Sequence, residues 1–512
     1  MKAESFNWEC VLPGKGKDSQ FPSRIYAETV LAVNFADAQR LFLEGLLDIH
    51  QAHTLMLAKQ RIMPQAAAIA CLDALDSLDR EKLRGATYDG RFEDLFFYIQ
   101  ADIAALCGEE HAGRMHTARS RNDIALTLYR MRLRSDVLQL VEAVHGVCSM
   151  LIQLSREHVQ TLMPAYTHTQ PAQPTTLAHY LLAAMECFSR DQRRLRAAFA
   201  TVNCNPLGAC AITTTGFPID RSYTADLLGF EALQLNSYGA IAATDYVTET
   251  AGAIATAMVN LGKLVQDLLQ WSNPAFGYLR LSSGWVQISS IMPQKRNPVA
   301  LEHTRILASK ALAQAQGVFT ATHNTPFGDI VDSEDDLQPL VFSMTTDALR
   351  ALRLFAGLMS DCEVDVERLS QRAHDDFLTV TELADTLVRQ DGLSFDAAHA
   401  LVSQAVRELA GKYSPDAMVD QVVKHAPQQL GRALHTKRAE LLEALNPRHF
   451  VNIRDVVGGP APKALAAALQ QAQAEQREAE SWITQKQRLL NGYHGLMREA
   501  REQLFGAAGN QR

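Results

Sequence analysis

Two serines, a lysine and an asparagine fall close together in Ile288-Ser289-Ser290-Ile291-Met292-Pro293-Gln294-Lys295-Arg296-Asn297-Pro298. A turn between prolines would not require two hydroxyls, an ammonium and an amide in so short a run, and such a set suits a loop that handles protons and anions. A second segment, Tyr166-Thr167-His168-Thr169-Gln170-Pro171, sets a histidine among hydroxyl and amide side chains. A lone loop histidine is more often structural than catalytic, but these neighbours would fix its tautomer and aim its ring at a reacting group. A third, His116-Thr117-Ala118-Arg119-Ser120-Arg121-Asn122-Asp123, precedes a long helical pattern. Ser, Asn and Asp are common helix caps; a helix N-terminus with two arginines and an amide is also a receptor for carboxylates.

The segments that must hold these loops read as helices. Leu126, Tyr129 or Arg130, Leu133, Val137, Leu140, Val144, Val147, Leu151 and Leu154 recur mostly in steps of three and four, marking a helix of about thirty residues with one apolar stripe. Val247, Ala251, Ile254, Met258, Leu261, Val265 and Leu268 mark a second, and similar runs cover Leu177–Phe199 and Val299–Val318. Helices longer than the usual three to four turns suit a bundle whose seams can also join subunits, so an oligomer is expected. Alternating β-branched segments are almost absent, and no substantial sheet is expected. The tail from about Pro460 reads as a solvated helix with no chemistry assigned to it.

The chain has 512 residues, which predicts two to four domains. A net charge of −8 argues against a broad basic surface for nucleic acid. The eight cysteines (Cys10, Cys71, Cys107, Cys148, Cys187, Cys204, Cys210, Cys362) never form a CxxC pair and read as reduced, mostly buried thiols. No signal-peptide pattern opens the sequence, and the most apolar stretch, around Ala240 to Val265, is broken by Asp245, Glu249 and Asn260. The expectation is a cytoplasmic protein without a membrane span.

The serine–lysine–asparagine loop resembles the SSxMPxKxNP signature of the fumarase/aspartase superfamily. The other two resemble the HTGRSRNDQ and YTHLQRAQP patterns of its argininosuccinate lyase branch. Asn205-Pro206-Leu207-Gly208, the run Asp376 to Asp385, and Val457-Gly458-Gly459-Pro460 add to the likeness, which covers roughly residues 25 to 475. The resemblance implies an all-α long-helix bundle in three domains: residues 1–118, a central bundle at 119–370 carrying the loops, and residues 371–512. It further implies a homotetramer with a 20-helix core, whose active sites each draw loops from three subunits.

The reaction so implied is elimination of fumarate from an N-(1,2-dicarboxyethyl) amine, foremost argininosuccinate, with no metal and no cofactor. By motif, Ser289 is the base for the Cβ proton, and Lys295 and Asn297 stabilise the charge that develops on the adjacent carboxylate. A serine can act so only if backbone donors and Lys295 hold its alkoxide in a closed, water-poor loop. His168 assists proton traffic on the amine side; Ser120, Arg121, Asn122 and Thr167 grip the substrate's carboxylates. Gly284 is expected to hinge a lid.

Departures from the pattern bear on the amine. Ile288 and Ala118 replace glycines, Phe96 replaces a histidine, and Thr244 an arginine. The segment Pro326 to Gln338 lacks the tyrosine and lysine of the branch pattern YNKDLQEDKEP and is more acidic. A second reading is therefore lysis of another N-succinyl amine, as in ethylenediamine-N,N'-disuccinate lyase. A third, of a different class, is a catalytically silent structural homologue of the crystallin type.

Overall fold

In the computed structural model, residues 21–509 are described; Cys10 lies outside them. The N-terminal part is built from α1 (Ala32–Lys59), α2 (Gln65–Ser77) and α3 (Leu95–Cys107). Five long rods follow: α4 (Arg121–Glu157), α5 (Leu177–Val202), α6 (Asp245–Trp271), α7 (Val299–Thr322) and α8 (Gln338–Met359). Helix α4 packs on α5 and α8, α5 on α6, α6 on α7, and α7 on α8. Four of these rods lie where the apolar periodicity predicts them. The fifth, α8, is unannounced by any motif, though Val341, Met344, Ala348, Ala351, Leu352 and Phe355 are buried at helical spacing.

By length and composition α4 could cross a membrane, whereas the sequence reading took Ala240 to Val265 as the most apolar stretch and expected no span. Half of its most apolar window is already buried inside the chain. It also buries charge: Arg134 donates to Asn203 Oδ1 (2.9 Å) and to the Leu228 carbonyl (2.6 Å), and Arg130 lies 4.3 Å from the Tyr246 ring. Helix α4 is the central rod of a bundle.

A separate apolar core joins α9 (Val380–Asp391), α10 (Phe395–Leu409), α11 (Pro415–Leu430) and α12 (Arg438–Ala444) through Leu383, Leu401, Met418, Val422 and Leu441. The chain then returns as α13 (Pro462–Gly509), which lies along α4, α5 and α1. It is not the wholly solvated helix expected. Leu465, Leu469, Ala472, Ala479, Ile483 and Met497 are buried, because small alanines let its face come close to the rods. Lys486 pairs with Glu231, and Tyr493 donates to Asp48 at 2.7 Å.

Strand structure among the described residues is confined to four short two-stranded pairings. The seven described cysteines are free; three are buried and four half-buried.

Candidate active site

The first loop caps α4. Ser120 Oγ accepts the Asn122 N–H, and the Ser120 N–H donates back to Asp123 Oδ1 at 2.9 Å, a reciprocal cap that satisfies two otherwise orphaned groups. The other Asp123 oxygen accepts the N–H groups of Gly208 (2.8 Å) and Cys210 (3.0 Å), tying this loop to the Asn205–Gly208 turn. Burial outweighs these bonds and pushes Asp123 up to about 6. Gly208 is required: its φ is +89°, and a Cβ there would meet Arg221 Cγ at 2.7 Å.

The two arginines of this loop do not act together. Ala118 takes a left-handed φ of 60°, and the next residue, Arg119, is buried over Phe96 beside His50, His53 and His116, with the Asp123 carboxylate near enough to favour its charge. Arg121 stays half-buried and is held by Asp94 (2.8 Å) and Glu93 (3.0 Å). Asn122 donates to Asp329 Oδ2 (2.7 Å) and to the Ala211 carbonyl (3.2 Å). The sequence reading passed over Asp123 and Asp94 as functional positions, although Asp123 had a signal in the capping pattern. Asp329 stood out only as part of the acidic stretch Pro326 to Gln338; its contact with Asn122, 207 residues away, had no local signal.

The histidine segment is a β-hairpin, β1 (Leu162–Thr167) with β2 (Gln170–Thr176). His168 (φ 51°) and Thr169 (φ 63°) form its two-residue tip, where left-handed backbone at both positions matches the twist of the flanking strands. Thr167 and His168 are exposed, and within the described residues the His168 ring has no hydrogen-bond partner. The expected neighbours thus do not fix its tautomer inside one chain.

Strands β3 (Gln287–Ile288) and β4 (Arg296–Asn297) pair at the base of the serine loop. Ser289 Oγ accepts the N–H groups of Met292 (3.2 Å) and Ile291 (3.4 Å), and the Ser289 N–H donates to the Lys295 carbonyl at 3.3 Å. Backbone donors therefore point at this hydroxyl, as an alkoxide would need. The Lys295 side chain is exposed, and Asn297 is half-buried. Gly284 has open space around it and an ordinary backbone, whereas Trp285 beside it is anchored, its Nε1 donating to Asp361 at 3.0 Å.

Alternation of the rods divides the loops between two ends of the bundle. Ser120–Asn122 starts α4 and the hairpin follows its end, so the 37 residues of α4 separate them by roughly 55 Å. The hairpin and serine loops share the other end, where the Tyr166 and Tyr278 hydroxyls lie 2.6 Å apart. No hydrogen bond or ion pair among the described residues links the three loops.

The long rods, with the paired-serine loop at one end and the capped arginine–asparagine loop at the other, define a lyase of the fumarase/aspartase fold. A lyase family model matches residues 98–313, and an argininosuccinate lyase C-terminal model matches residues 377–452. The chain is 41% identical to argininosuccinate lyase 2 of Agrobacterium fabrum, over 89% of this chain and 91% of that one. It is 36% identical to argininosuccinate lyase of Methanoculleus marisnigri, over 91% and 94%. Among solved structures it resembles EDDS lyase in complex with formate, with TM-score 0.83, 30% identity, and coverage of 91% and 92%. The chain belongs to the argininosuccinate lyase family, and it is a carbon–nitrogen lyase.

Proposed function

We propose that this enzyme eliminates fumarate from argininosuccinate, releasing arginine, and so serves arginine biosynthesis in the cytoplasm. The observation that carries the reading is Ser289 Oγ, set against two backbone N–H groups in a loop that also bears Lys295 and Asn297. Ser289, as the alkoxide those donors favour, takes the Cβ proton. The electron pair is accepted by the neighbouring carboxylate, on which Lys295 and Asn297 act. That pair then returns to form the C=C bond of fumarate as the Cα–N bond breaks, and the departing nitrogen takes up a proton with help from His168. Ser120, Asn122 and Thr167 hold the succinyl carboxylates. Arg121, engaged by Glu93 and Asp94, and Asn122, whose amide is engaged by Asp329 and the Ala211 carbonyl, must each exchange a partner to do so.

A complete site requires the Ser120–Asn122 loop of one subunit to meet the His168 hairpin of a second and the Ser289 loop of a third, which antiparallel rods in a homotetramer allow. The test is fumarate release from argininosuccinate by the purified chain, followed by ultraviolet absorbance. Turnover is expected and should vanish in Ser289→Ala; no fumarate from any N-substituted aspartate would reject the reading. The acidic stretch from Asp329 to Asp336 favours a second reading, in which another N-succinyl amine is the better substrate.

A further inference from the structure

Beside Asn122, at the start of α4, lies a cavity of about 310 Å³, within the size range of small-molecule sites. Phe35, Phe42, Phe96 and Leu128 form apolar walls. Five carboxylates line the rest: Glu93, Asp94, Asp329, Glu334 and Asp335. Among the described residues its one lining cation is Arg121, and both Glu93 and Asp94 already engage it. Asp335 accepts the Tyr129 hydroxyl, while Asp329 accepts the Asn122 amide at 2.7 Å. Burial and the neighbouring Asp329 push Glu334 up to about 8, with Arg121 opposing.

We propose that this cavity receives the leaving amine, and that, while arginine is accepted, it favours amines bearing a second positive centre and no carboxylate, that is, diamines and guanidino-amines. The inference rests on the fumarate-elimination reading, which places the succinyl half at Asn122. An amino-acid leaving group would bring its carboxylate into a space lined by carboxylates, where Arg121, the one guanidinium lining it among the described residues, is taken. A diamine or guanidino-alkylamine presents methylenes to Phe35, Phe42 and Leu128 and a cation to Asp329, Glu334 and Asp335. In the addition direction the balance is simple. The amine nitrogen bonds to one olefinic carbon of fumarate and loses a proton, and the other carbon gains one.

The test runs the full-length enzyme in that direction, with fumarate and one of four amines: arginine, its decarboxylated form 4-aminobutylguanidine, 1,4-diaminobutane, or n-butylamine. Loss of fumarate absorbance gives the rate and mass spectrometry identifies each adduct. Decarboxylated arginine should exceed arginine in kcat/KM by about tenfold or more, and the diamine should exceed n-butylamine similarly, the scale of one charged hydrogen bond. Asp335→Asn should shrink the diamine's advantage over n-butylamine, with KM moving more than kcat. Arginine equal to or better than its decarboxylated form, or n-butylamine equal to the diamine, overturns the proposal while leaving fumarate elimination intact. No adduct with any amine, together with no fumarate from argininosuccinate, overturns the underlying reading instead.

Discussion

Asp123 Oδ2 accepts the backbone N–H of Gly208 at 2.8 Å, across 85 residues of sequence, while the other oxygen of the same carboxylate caps its own helix. One buried side chain thus fixes both the α4 cap and the loop beside it. Asp123→Asn puts an amide where one oxygen now accepts two N–H groups, and one side of that contact must be lost. The variant should lose about 1–3 kcal/mol of stability, seen as a lower midpoint in chemical denaturation. Gly208→Ala should destabilise by a similar route, through its positive φ and the contact with Arg221.

Ala118 occupies the left-handed region at a position where the family pattern has glycine. Removing its Cβ relieves a cost of about 1–2 kcal/mol but restores glycine's larger unfolded-state entropy. Ala118→Gly is therefore expected to stabilise the protein by up to about 1 kcal/mol, measured by thermal denaturation. A lower melting temperature would contradict the conformational account.

Ser289→Ala should abolish turnover with substrate binding kept within a few-fold, because the hydroxyl acts mainly in the transition state. Lys295→Ala should impair both, since it meets the ground-state carboxylate as well. If sites are shared between chains, mixing Ser289→Ala with His168→Ala subunits should restore part of the activity. Light scattering should find a tetramer as the active species; a fully active monomer would contradict the 55 Å separation argument.

Glu334 supplies a pH prediction. Its folded-state value, about 8, lies above the ordinary glutamate value, so the native protein binds more protons than the unfolded chain between those limits. Stability from this group is fully present below the ordinary glutamate range and falls as pH rises toward 8. Desolvation is the largest cause, followed by Asp329 and Asp335, with Arg121 opposing. Glu334→Gln should flatten the decline in melting temperature between about pH 5 and pH 8. Equal slopes for parent and variant would show that Glu334 is not held protonated.

Tyr493, on α13, should matter for docking of that helix. Its hydroxyl donates to Asp48, which His494 also meets at 3.2 Å. Tyr493→Phe strips a bond from a carboxylate that burial already raises, and about 1–2 kcal/mol of stability should be lost in denaturant titrations.

The sequence by itself determined the parts whose information is local. Apolar spacing within α4, α5, α6 and α7 specified the rods, and the side chains of Ser289-Ser290 with Lys295 and Asn297 specified a chemically pointed loop. Even the α4 cap was legible, because a reciprocal Ser120–Asp123 bond spans three residues. Only the tertiary structure decided what depends on how rods of given lengths alternate. It turned Arg119 into the N-terminal core and left Arg121 on an acidic pair. It set His168 at the far end of a 37-residue helix from Asn122, and brought Asp329 and Glu334 onto the Asn122 loop from some two hundred residues away. Helix α13 was misjudged for the same reason: a face rich in alanine reads as weakly apolar until a neighbouring rod is close enough to cover it. Periodicity tells which face of a helix seeks cover, but not which surface supplies it, and that pairing is fixed by long-range packing rather than by any local run of residues.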